Sequence, residues 1–239
     1  MTSPGGAAGA QEEAITALAV LGEDVRRRLY LLVRAAHRPV GREEAAAAAG
    51  ISRKLAAFHL DKLVSAGLLQ ARHDPPPGLR RVGRTPKTYE PVPADIAVSI
   101  PPRRHDVLAG ILADAVLAGH DGGGARPAAT RIAADRGREL GAAERARARP
   151  GRLGAERGLT LPAALLTGSG YEPQRDPAGG LRLRNCPYHP LAARAPGLVC
   201  AINHAYLAGL LDGLGADTVT AVLDPQPGFC CVRLAAASR

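Results

Sequence analysis

The sequence predicts an α+β protein that is mostly helical. Through the first seventy residues, and again over residues 107–116, apolar side chains recur at three- and four-residue spacing, which is the pattern of amphipathic helices. The last seventy residues combine one long apolar helix with short alternating segments that are typical of strands. With no Trp, two Phe and five Tyr, the core must be built from Leu, Val, Ile and Ala, which favours closely packed small helices over a large β-sandwich.

The N-terminal segment predicts a short disordered tail followed by two helices. Residues 1–11 are mostly small and show no periodicity, so order is expected to begin near Glu12. The apolar spacing then predicts a helix that stops near Gly22 and a second one that ends before Pro39. Acidic residues directly after Gly22 support the restart, because carboxylates stabilise a helix N-terminus.

The next segment, GREEAAAAAGISRKLAAFHLDKLVSAG, predicts two helices joined by a tight turn. Residues 42–49 form the first helix, which Gly50 can end in the left-handed conformation. Ser52 caps the second helix and Gly67 ends it. This arrangement is a helix-turn-helix. The side chains expected to hold the second helix to its domain are Leu55, Leu60, Leu63 and Val64.

Two short predicted strands then flank a loop that is rich first in proline and then in arginine, which indicates a β-hairpin with a long basic tip. A helix-turn-helix followed by such a hairpin is a winged helix, and we expect this domain to span residues 12–95. The whole chain carries a net charge of +9, and residues 52–91 alone carry eight basic and three acidic side chains, a local net charge of +5. Such a patch attracts phosphate, so it indicates binding to double-stranded DNA.

The candidate DNA contacts lie on the second helix and on the hairpin. The helix residues expected to face the major groove, or to reach the bases or the backbone, are Ser52, Arg53, Lys54, Ala57, His59 and Lys62. The hairpin residues suited to minor-groove or phosphate contact are Arg80, Arg81, Arg84 and Lys87. A histidine at such a position is more often structural, so His59 ranks below Arg53 and Lys54. A protein-binding winged helix with a solvated basic face is the alternative.

Residues 96–150 predict a linker and dimerisation helices. The helix from Arg103 to Gly119 has a broad apolar face that a monomer would leave exposed, so it is expected to pack against a partner chain or the next domain, and a homodimer follows. Residues 127–149 are rich in Ala and Arg and only weakly amphipathic, which predicts a surface or linker helix.

Residues 151–239 predict an α+β domain. A short helix is expected over residues 160–167 and a long one over residues 196–215. Leu181 and Leu183 alternate with arginines, and strands are predicted over residues 218–223 and 229–234. This domain contains all four cysteines, while residues 161–239 carry only six basic and five acidic side chains.

The compartment decides how the cysteines are interpreted. No run of eighteen apolar residues occurs and the first residues do not resemble a secretory signal, so we expect a cytoplasmic protein that does not enter a membrane. Thiols stay reduced there, which favours metal, cluster or redox chemistry over structural disulfides.

The spacing of these residues indicates a soft-ligand site. Two residues separate Cys186 from His189 in a loop, and Cys200 lies in the following helix. The predicted ligands are Cys186, His189, Cys200 and Cys230, with Cys231 as the alternative to Cys230. The last two are alternatives because neighbouring residues of a strand point to opposite faces. His204, inside an apolar helix, is expected to be a hydrogen-bonded core residue. Buried inert cysteines and a thiol–disulfide switch are the other interpretations.

Several of these motifs together carry a resemblance to a known family. The segment 21–91 resembles the winged helix-turn-helix domain of ArsR-like bacterial transcription regulators, through AAAAAGISRKLAAFHLDKLVSAGLL, which contains His-Leu-x-x-Leu-x-x-x-Gly-Leu, and through the wing GRTPKTYEP. The stretches NCPYHPLAARAPGLVCAINHAYLAGLLDGLG and LDPQPGFCCVRL resemble the C-terminal sensor region of SufR-type regulators, which bind an iron–sulfur cluster and control cluster-assembly operons.

The resemblance implies a homodimeric repressor whose recognition helices bind a pseudo-palindromic operator, and a C-terminal sensor domain that holds an iron–sulfur cluster. The family pattern has a further cysteine between the second and the last, whereas residues 201–229 contain none. A 4Fe–4S cluster would then use Cys186, Cys200 and Cys230 with His189, or an open iron, in the fourth position. The same four residues would also make a Cys₃His zinc site.

Motifs for catalysis are missing from the sequence. The segment GHDGGGARP lacks the Lys-Ser/Thr of a phosphate-binding loop, and the GSG at 168–170 lacks the flanking residues of a nucleophile elbow. We therefore expect a regulator and not an enzyme. The alternative is a winged-helix regulator with a structural zinc or inert cysteines that senses a small molecule in its C-terminal domain.

Overall fold

The computed structural model describes residues 4–73, 87–93, 95–118, 124–151, 153–177 and 179–237. The fold is α+β, about 58% helical, with two small antiparallel sheets. The chain divides into two compact units, an N-terminal one over Gly9–Val98 and a C-terminal one that comprises Ser99–Arg239 together with the segment Met1–Ala8.

The N-terminal unit is built from four helices and one small sheet. Its elements are α1 (Pro4–Val20), α2 (Asp24–Ala36), β1 (Val40–Gly41), α3 (Arg42–Ala49), α4 (Arg53–Ser65), β2 (Leu69–Arg72) and β3 (Thr88–Pro91). The sheet is antiparallel throughout, with β3 in the centre between β1 and β2. The prediction of a disordered tail over residues 1–11 is wrong from Pro4 onward, because α1 begins there.

Local signals set the ends of these helices as the sequence predicts. Glu23 caps α2, since its carboxylate accepts hydrogen bonds from the backbone N–H groups of Val25 and Arg26, both at 2.9 Å. Gly50 ends α3 with a φ of +67°, and Ser52 caps α4 by accepting a 3.2 Å hydrogen bond from the Leu55 N–H. The predicted bounds of α3 are confirmed.

An aliphatic core holds α2, α4 and the sheet together. Its buried members are Ala17, Leu29, Val33, Val40, Ala45, Leu60, Leu63, Leu68, Leu69 and Tyr89. The Tyr89 hydroxyl donates a 3.0 Å hydrogen bond to Asp61 on α4. Burial, together with this bond to Asp61, raises the pKa of Tyr89 to about 12. Strand β3 is thus joined to α4 by a polar contact as well as by the core.

The C-terminal unit packs helices on a four-stranded antiparallel sheet with the strand order β4-β5-β7-β6. Its elements are α5 (His105–Ala118), α6 (Ala125–Ala148), α7 (Ala155–Gly168), β4 (Pro173–Arg175), β5 (Leu181–Leu183), α8 (Leu191–Arg194), α9 (Pro196–Leu214), β6 (Val219–Leu223) and β7 (Val232–Ala236). The helices predicted as a linker over residues 96–150 therefore lie in the same compact unit as the segment predicted as a separate domain, 151–239.

Helices α6 and α9 touch backbone to backbone. A Cβ atom on Gly137 of α6 would lie 2.0 Å from the carbonyl oxygen of Tyr206, and one on Gly209 of α9 would lie 2.0 Å from that of Ala134. Gly141 and Gly213 repeat this contact one turn further along. Only glycine allows so close an approach. Helix α6 is thus a core helix, and its prediction as a surface or linker helix is wrong.

Helix α9 is the central helix of the unit. It has 19 residues with a mean hydropathy of 1.3, so among the described helices it alone is long and apolar enough to cross a membrane, and 56% of it is buried inside the protein. Ile202, Leu207 and Leu210 lie in the core that it forms with α6 and the sheet. This burial is compatible with the core helix of a soluble protein.

The last strand begins later than predicted. Strand β7 starts at Val232, so Cys230 and Cys231 lie in the loop before it and not within a strand. The turn at Gly228, with a φ of +78°, lies directly before the predicted strand, and the chain becomes extended only at Val232. The expectation that the two thiols point to opposite faces of a strand therefore does not apply to them.

Candidate functional site

The structure brings the four cysteines of the chain together from three different elements. Cys186 follows β5, Cys200 lies in the first half of α9, and Cys230 and Cys231 precede β7. All four are free thiols. Side-chain hydrogen bonds join them in a row, from Cys186 to Cys230, from Cys230 to Cys231, and from Cys231 to Cys200. We call these four residues the cysteine quartet.

Residues 186–189, which we call the cysteine turn, hold Cys186 in place. The His189 N–H donates a 3.1 Å hydrogen bond to the Cys186 carbonyl oxygen, which closes the turn. The backbone N–H groups of Tyr188 and His189 also donate to the Cys186 sulfur, which acts to lower its pKa. Such N–H···S bonds stabilise a thiolate, the form of cysteine that binds metals.

The loop that carries Cys230 and Cys231 is tied to the neighbouring strand. The Cys230 N–H donates a 2.7 Å hydrogen bond to the Leu183 carbonyl oxygen at the end of β5. The ring of Phe229 lies 5.6 Å and 5.0 Å from the guanidinium groups of Arg182 and Arg184. Cation–π contacts of this kind help to fix an exposed loop. Strand β5 therefore holds this loop and leads directly into Cys186.

A buried amide completes the surroundings of the quartet. Asn203 on α9 is fully buried, and its Nδ2 donates a 3.1 Å hydrogen bond to the sulfur of Cys230. Its Oδ1 accepts a 2.5 Å hydrogen bond from the hydroxyl of Tyr171, which is also buried. Sequence reasoning missed this pair. The signal available for Asn203 is a polar residue inside an apolar helix, three positions after Cys200.

Burial and mutual contact raise the pKa of three of the thiols, those of Cys186, Cys200 and Cys230. The hydrogen bond to Cys230 and burial raise the pKa of Cys186 far above its usual range. A hydrogen bond from Cys186 lowers the pKa of Cys230, but the contact with Cys231 and burial outweigh it and raise this pKa to about 11. Burial also raises the pKa of Cys200. Protonated thiols are poor nucleophiles at neutral pH, so this arrangement does not favour a catalytic cysteine.

The two histidines near the quartet differ in their surroundings. The side chain of His189, a predicted ligand, is exposed. His204 lies 3.1 Å from the Ala221 carbonyl oxygen through Nε2, as expected for a core histidine. Across the described ranges, no three His, Cys, Asp or Glu side chains are already arranged to hold a metal ion. The donor chemistry of four adjacent thiols nevertheless fits zinc or an iron–sulfur cluster, both of which accept four cysteine ligands.

The second candidate site is the exposed face of α4. Ser52, Arg53, Lys54 and Lys62 are exposed, and Arg53 forms a 2.8 Å ion pair with Glu43 on α3. Ala57 is half-buried. His59 is buried instead, with its Nδ1 3.5 Å from a carboxylate oxygen of Glu23, so its ring faces the interior.

Two apolar residues of α4 lie on this exposed face. Leu55, predicted to hold the helix to its domain, is 41% exposed, and Phe58 is 52% exposed. The Lys62 ammonium lies 5.8 Å from the centre of the Phe58 ring. Exposed apolar groups between basic ones are able to contact thymine methyl groups in a major groove. Sequence reasoning included neither residue among the predicted DNA contacts.

The hairpin residues are described only in part. Arg80, Arg81 and Arg84 lie outside the described residues. Lys87 is half-buried and forms an ion pair with Asp61 of α4. This contact fixes the base of the hairpin against α4, beside the Tyr89–Asp61 hydrogen bond.

The molecule thus places a row of soft donors in one compact unit and an exposed basic helix in the other. Thiol side chains bind soft metals, and a basic helix face binds phosphate. No protein-family model, curated protein or solved structure matches the chain, so its function is inferred from these residues and their geometry.

Proposed function

We propose that this chain is a DNA-binding transcriptional repressor, acting as a homodimer in the cytoplasm, whose operator binding is controlled by a metal or an iron–sulfur cluster at the cysteine quartet. The observation that carries the proposal is the exposed basic face of α4. The four cysteines, which interact in a row in the C-terminal unit, add the sensor site. A protein that both binds DNA and holds soft ligands is suited to report metal or redox state to a promoter.

A winged helix-turn-helix is the fold that we propose for the N-terminal unit. Its support is the order of the elements, with α3, a turn at Gly50 and α4 followed by the antiparallel strands β2 and β3. In such a domain α4 would be the recognition helix that enters the major groove, with the hairpin loop at the adjacent backbone. The sequence between β2 and β3 contains Arg80, Arg81 and Arg84, which are three further basic residues.

The DNA-binding half can be tested with single lysine variants and a matched control. Lys54→Ala and Lys62→Ala each remove one charge from the exposed face of α4, whereas Arg28→Ala removes one from the exposed surface of α2. Removing a lysine that contacts phosphate should reduce the magnitude of the slope of log affinity against log salt concentration by roughly one. Binding to a pool of random-sequence DNA duplexes, measured by fluorescence anisotropy at several salt concentrations, checks this. The proposal fails if both lysine variants behave like Arg28→Ala.

The ligand set that we propose at the sensor site is the quartet itself. Cys231 is hydrogen-bonded to both Cys230 and Cys200, whereas the side chain of His189 is exposed. Cys231 therefore replaces His189 in the predicted set. The site then has four cysteines, although residues 201–229 contain none. The thiols would have to rotate to share one metal, since no three potential ligands within the described residues are already arranged around one point. A bound cluster would supply sensitivity to oxidants, whereas zinc would supply a redox-inert cross-link.

Anaerobic purification distinguishes these ligands. A brown protein with visible absorption contains a cluster, and a colourless protein with stoichiometric metal contains zinc. Cys→Ser changes at each of the four positions should abolish binding, and His189→Ala should retain it. Loss of binding in His189→Ala together with retention in Cys231→Ser would contradict the four-cysteine set. Neither metal nor cluster, with stability unchanged in Cys186→Ser, would favour inert cysteines and a small-molecule sensor.

A further inference from the structure

Residues 99–105, which we call the connector, directly follow Val98, the last residue of the N-terminal unit. The connector is hydrogen-bonded along the cysteine turn. Three consecutive connector residues are hydrogen-bonded to three of the four backbone carbonyl oxygens of the turn. These bonds are Arg103 Nη1 to Cys186 O at 2.8 Å, Arg104 N to Pro187 O at 2.9 Å, and His105 Nε2 to His189 O at 3.1 Å.

Asn185, immediately before the turn, strengthens this attachment. Its side chain is buried, with Oδ1 accepting a 2.6 Å hydrogen bond from Arg103 Nη1 and Nδ2 donating to the carbonyl oxygens of Pro102 at 3.0 Å and Gly170 at 2.6 Å. A buried amide with its donors and its acceptor in use fixes the groups around it, because moving any of them leaves a buried polar atom unpaired. The connector and the cysteine turn therefore form one hydrogen-bonded structure.

Arginine provides the strongest of these contacts. The Arg103 guanidinium bonds a backbone carbonyl and a side-chain amide at once, which its rigid, planar group of donors favours. Hydrogen bonds from a charged donor are stronger than neutral ones. The adjacent Arg104 pairs with Asp106 at the start of α5, with both contacts at 3.1 Å. Arg103 is thus bonded to the turn that contains Cys186, and Arg104 is bonded to the first turn of α5.

We infer that the connector is a clamp that couples the state of the cysteine turn to the chain leading into the N-terminal unit, with Arg103 as its positioning residue. If the turn shifts when Cys186 rotates or gains a substituent, these hydrogen bonds must either break or move the connector with it. The coupling is reciprocal, so loosening the connector must change the exposure of Cys186. What the N-terminal unit does with the motion rests on the proposed function, but the clamp itself does not.

The clamp can be tested on the full-length, metal-free, reduced protein by alkylation. Iodoacetamide is added under native conditions, and the rate at each cysteine is read by mass spectrometry. Loss of a charge-assisted hydrogen bond in Arg103→Ala should raise the rate at Cys186 relative to Cys200 by roughly tenfold. Arg103→Lys, which keeps a charged donor, should restore part of the difference.

The matched control is Arg145→Ala. Arg145 also donates to a backbone carbonyl, that of Leu214, at 2.5 Å, at the other end of α9. This variant should leave the ratio of the two alkylation rates unchanged. General destabilisation would raise the rates at all cysteines together, so a selective change at Cys186 identifies the clamp. Equal ratios in Arg103→Ala and Arg145→Ala would overturn it.

The reverse direction is tested at one backbone amide. The Arg104 N–H donates to the Pro187 carbonyl oxygen, so its hydrogen exchange reports the connector. Alkylation of all thiols with N-ethylmaleimide should accelerate this exchange in the unmodified sequence but not in Cys186→Ser. Equal acceleration in both proteins, or none in either, would overturn the inference. Neither test uses metal or DNA, so failure of the metal and DNA experiments would remove the proposed function and leave the clamp standing.

Discussion

Asn203 lies inside an apolar helix with both ends of its amide in use. Its partners, Tyr171 and Cys230, are 32 and 27 residues away in sequence. Spacing identified Cys186, Cys200 and Cys230 as candidates because cysteine is rare in the chain and chemically distinctive. A buried amide has no such signal, since its role comes from partners that only the folded chain brings near.

Removal of this hydrogen-bond pair should be non-additive. Asn203→Leu leaves the buried Tyr171 hydroxyl without an acceptor, and Tyr171→Phe leaves the Asn203 carbonyl without its donor, so each should lower the free energy of unfolding by about 1–3 kcal/mol. The double variant should cost less than the sum, because no unpaired partner remains between the two positions. Urea unfolding followed by circular dichroism checks this. Strictly additive losses would show that the two residues act independently.

At the scale of the element, α3 and α4 could be predicted from sequence and α6 could not. Gly50 and Ser52 set helix ends through contacts within a few residues, and such signals are local. The buried face of α6 consists largely of alanine and glycine, which contribute little hydrophobic periodicity. Its contact with α9 depends on small residues on both helices, so neither helix alone reveals it.

The close approach of α6 and α9 predicts a sharp difference between two glycines of the same helix. A Cβ on Gly209 would meet the Ala134 carbonyl oxygen at 2.0 Å, whereas one on Gly197 would lie 3.6 Å from its nearest neighbour, the end of Arg126. Gly209→Ala should destabilise the unit by about 1–3 kcal/mol because the helices must separate. Gly197→Ala should be neutral. Thermal unfolding checks this pair, and equal melting temperatures would contradict the packing.

At the scale of the whole molecule, the two units are built on different polar centres. Asp61, Lys87 and Tyr89 join α4 to β3 in the N-terminal unit, while the cysteine quartet lies in the other. The division of the chain into a basic N-terminal part and a cysteine-containing C-terminal part could be predicted from composition. The N-terminal unit ends at Val98, near the predicted end at residue 95, whereas the joining of residues 96–150 with 151–239 depends on α6 packing with α9 and has no local signal in the sequence.

As the pH rises, the Cys230 thiol should respond first and the Tyr89 hydroxyl second. Because its pKa is higher in the folded protein than in the unfolded chain, the Cys230 thiol stabilises the fold fully below about pH 9, the ordinary pKa of a thiol. This stabilisation is lost as the pH rises to about 11, the pKa of Cys230 in the folded protein. The loss should be on the order of 2 kcal/mol. For Tyr89 the corresponding range runs from 10.0 to about 12.

Urea unfolding of the metal-free, reduced protein between pH 7 and 12 therefore detects the Cys230 thiol at a lower pH than the Tyr89 hydroxyl. Cys230→Ala should reduce the slope of stability against pH between 9 and 10, whereas Tyr89→Phe should leave that slope unchanged and reduce the one above 10. A cavity left by either change lowers stability equally at all pH values, so the slope is the relevant quantity. An unaltered slope in Cys230→Ala would show that this thiol does not titrate between the two states.

The pairing of β7 with β5 has a consequence for the order of assembly. Leu181 of β5 pairs with Leu234 of β7, and the Cys230 N–H donates a hydrogen bond to the Leu183 carbonyl oxygen at the end of β5. Until these distant strands meet, the pair Cys186 and Cys200 is separated from the adjacent pair Cys230 and Cys231. Non-local strand pairing is among the slower steps of folding. The quartet is therefore completed late, and an ion captured earlier would be held by half of the donors that the finished fold provides.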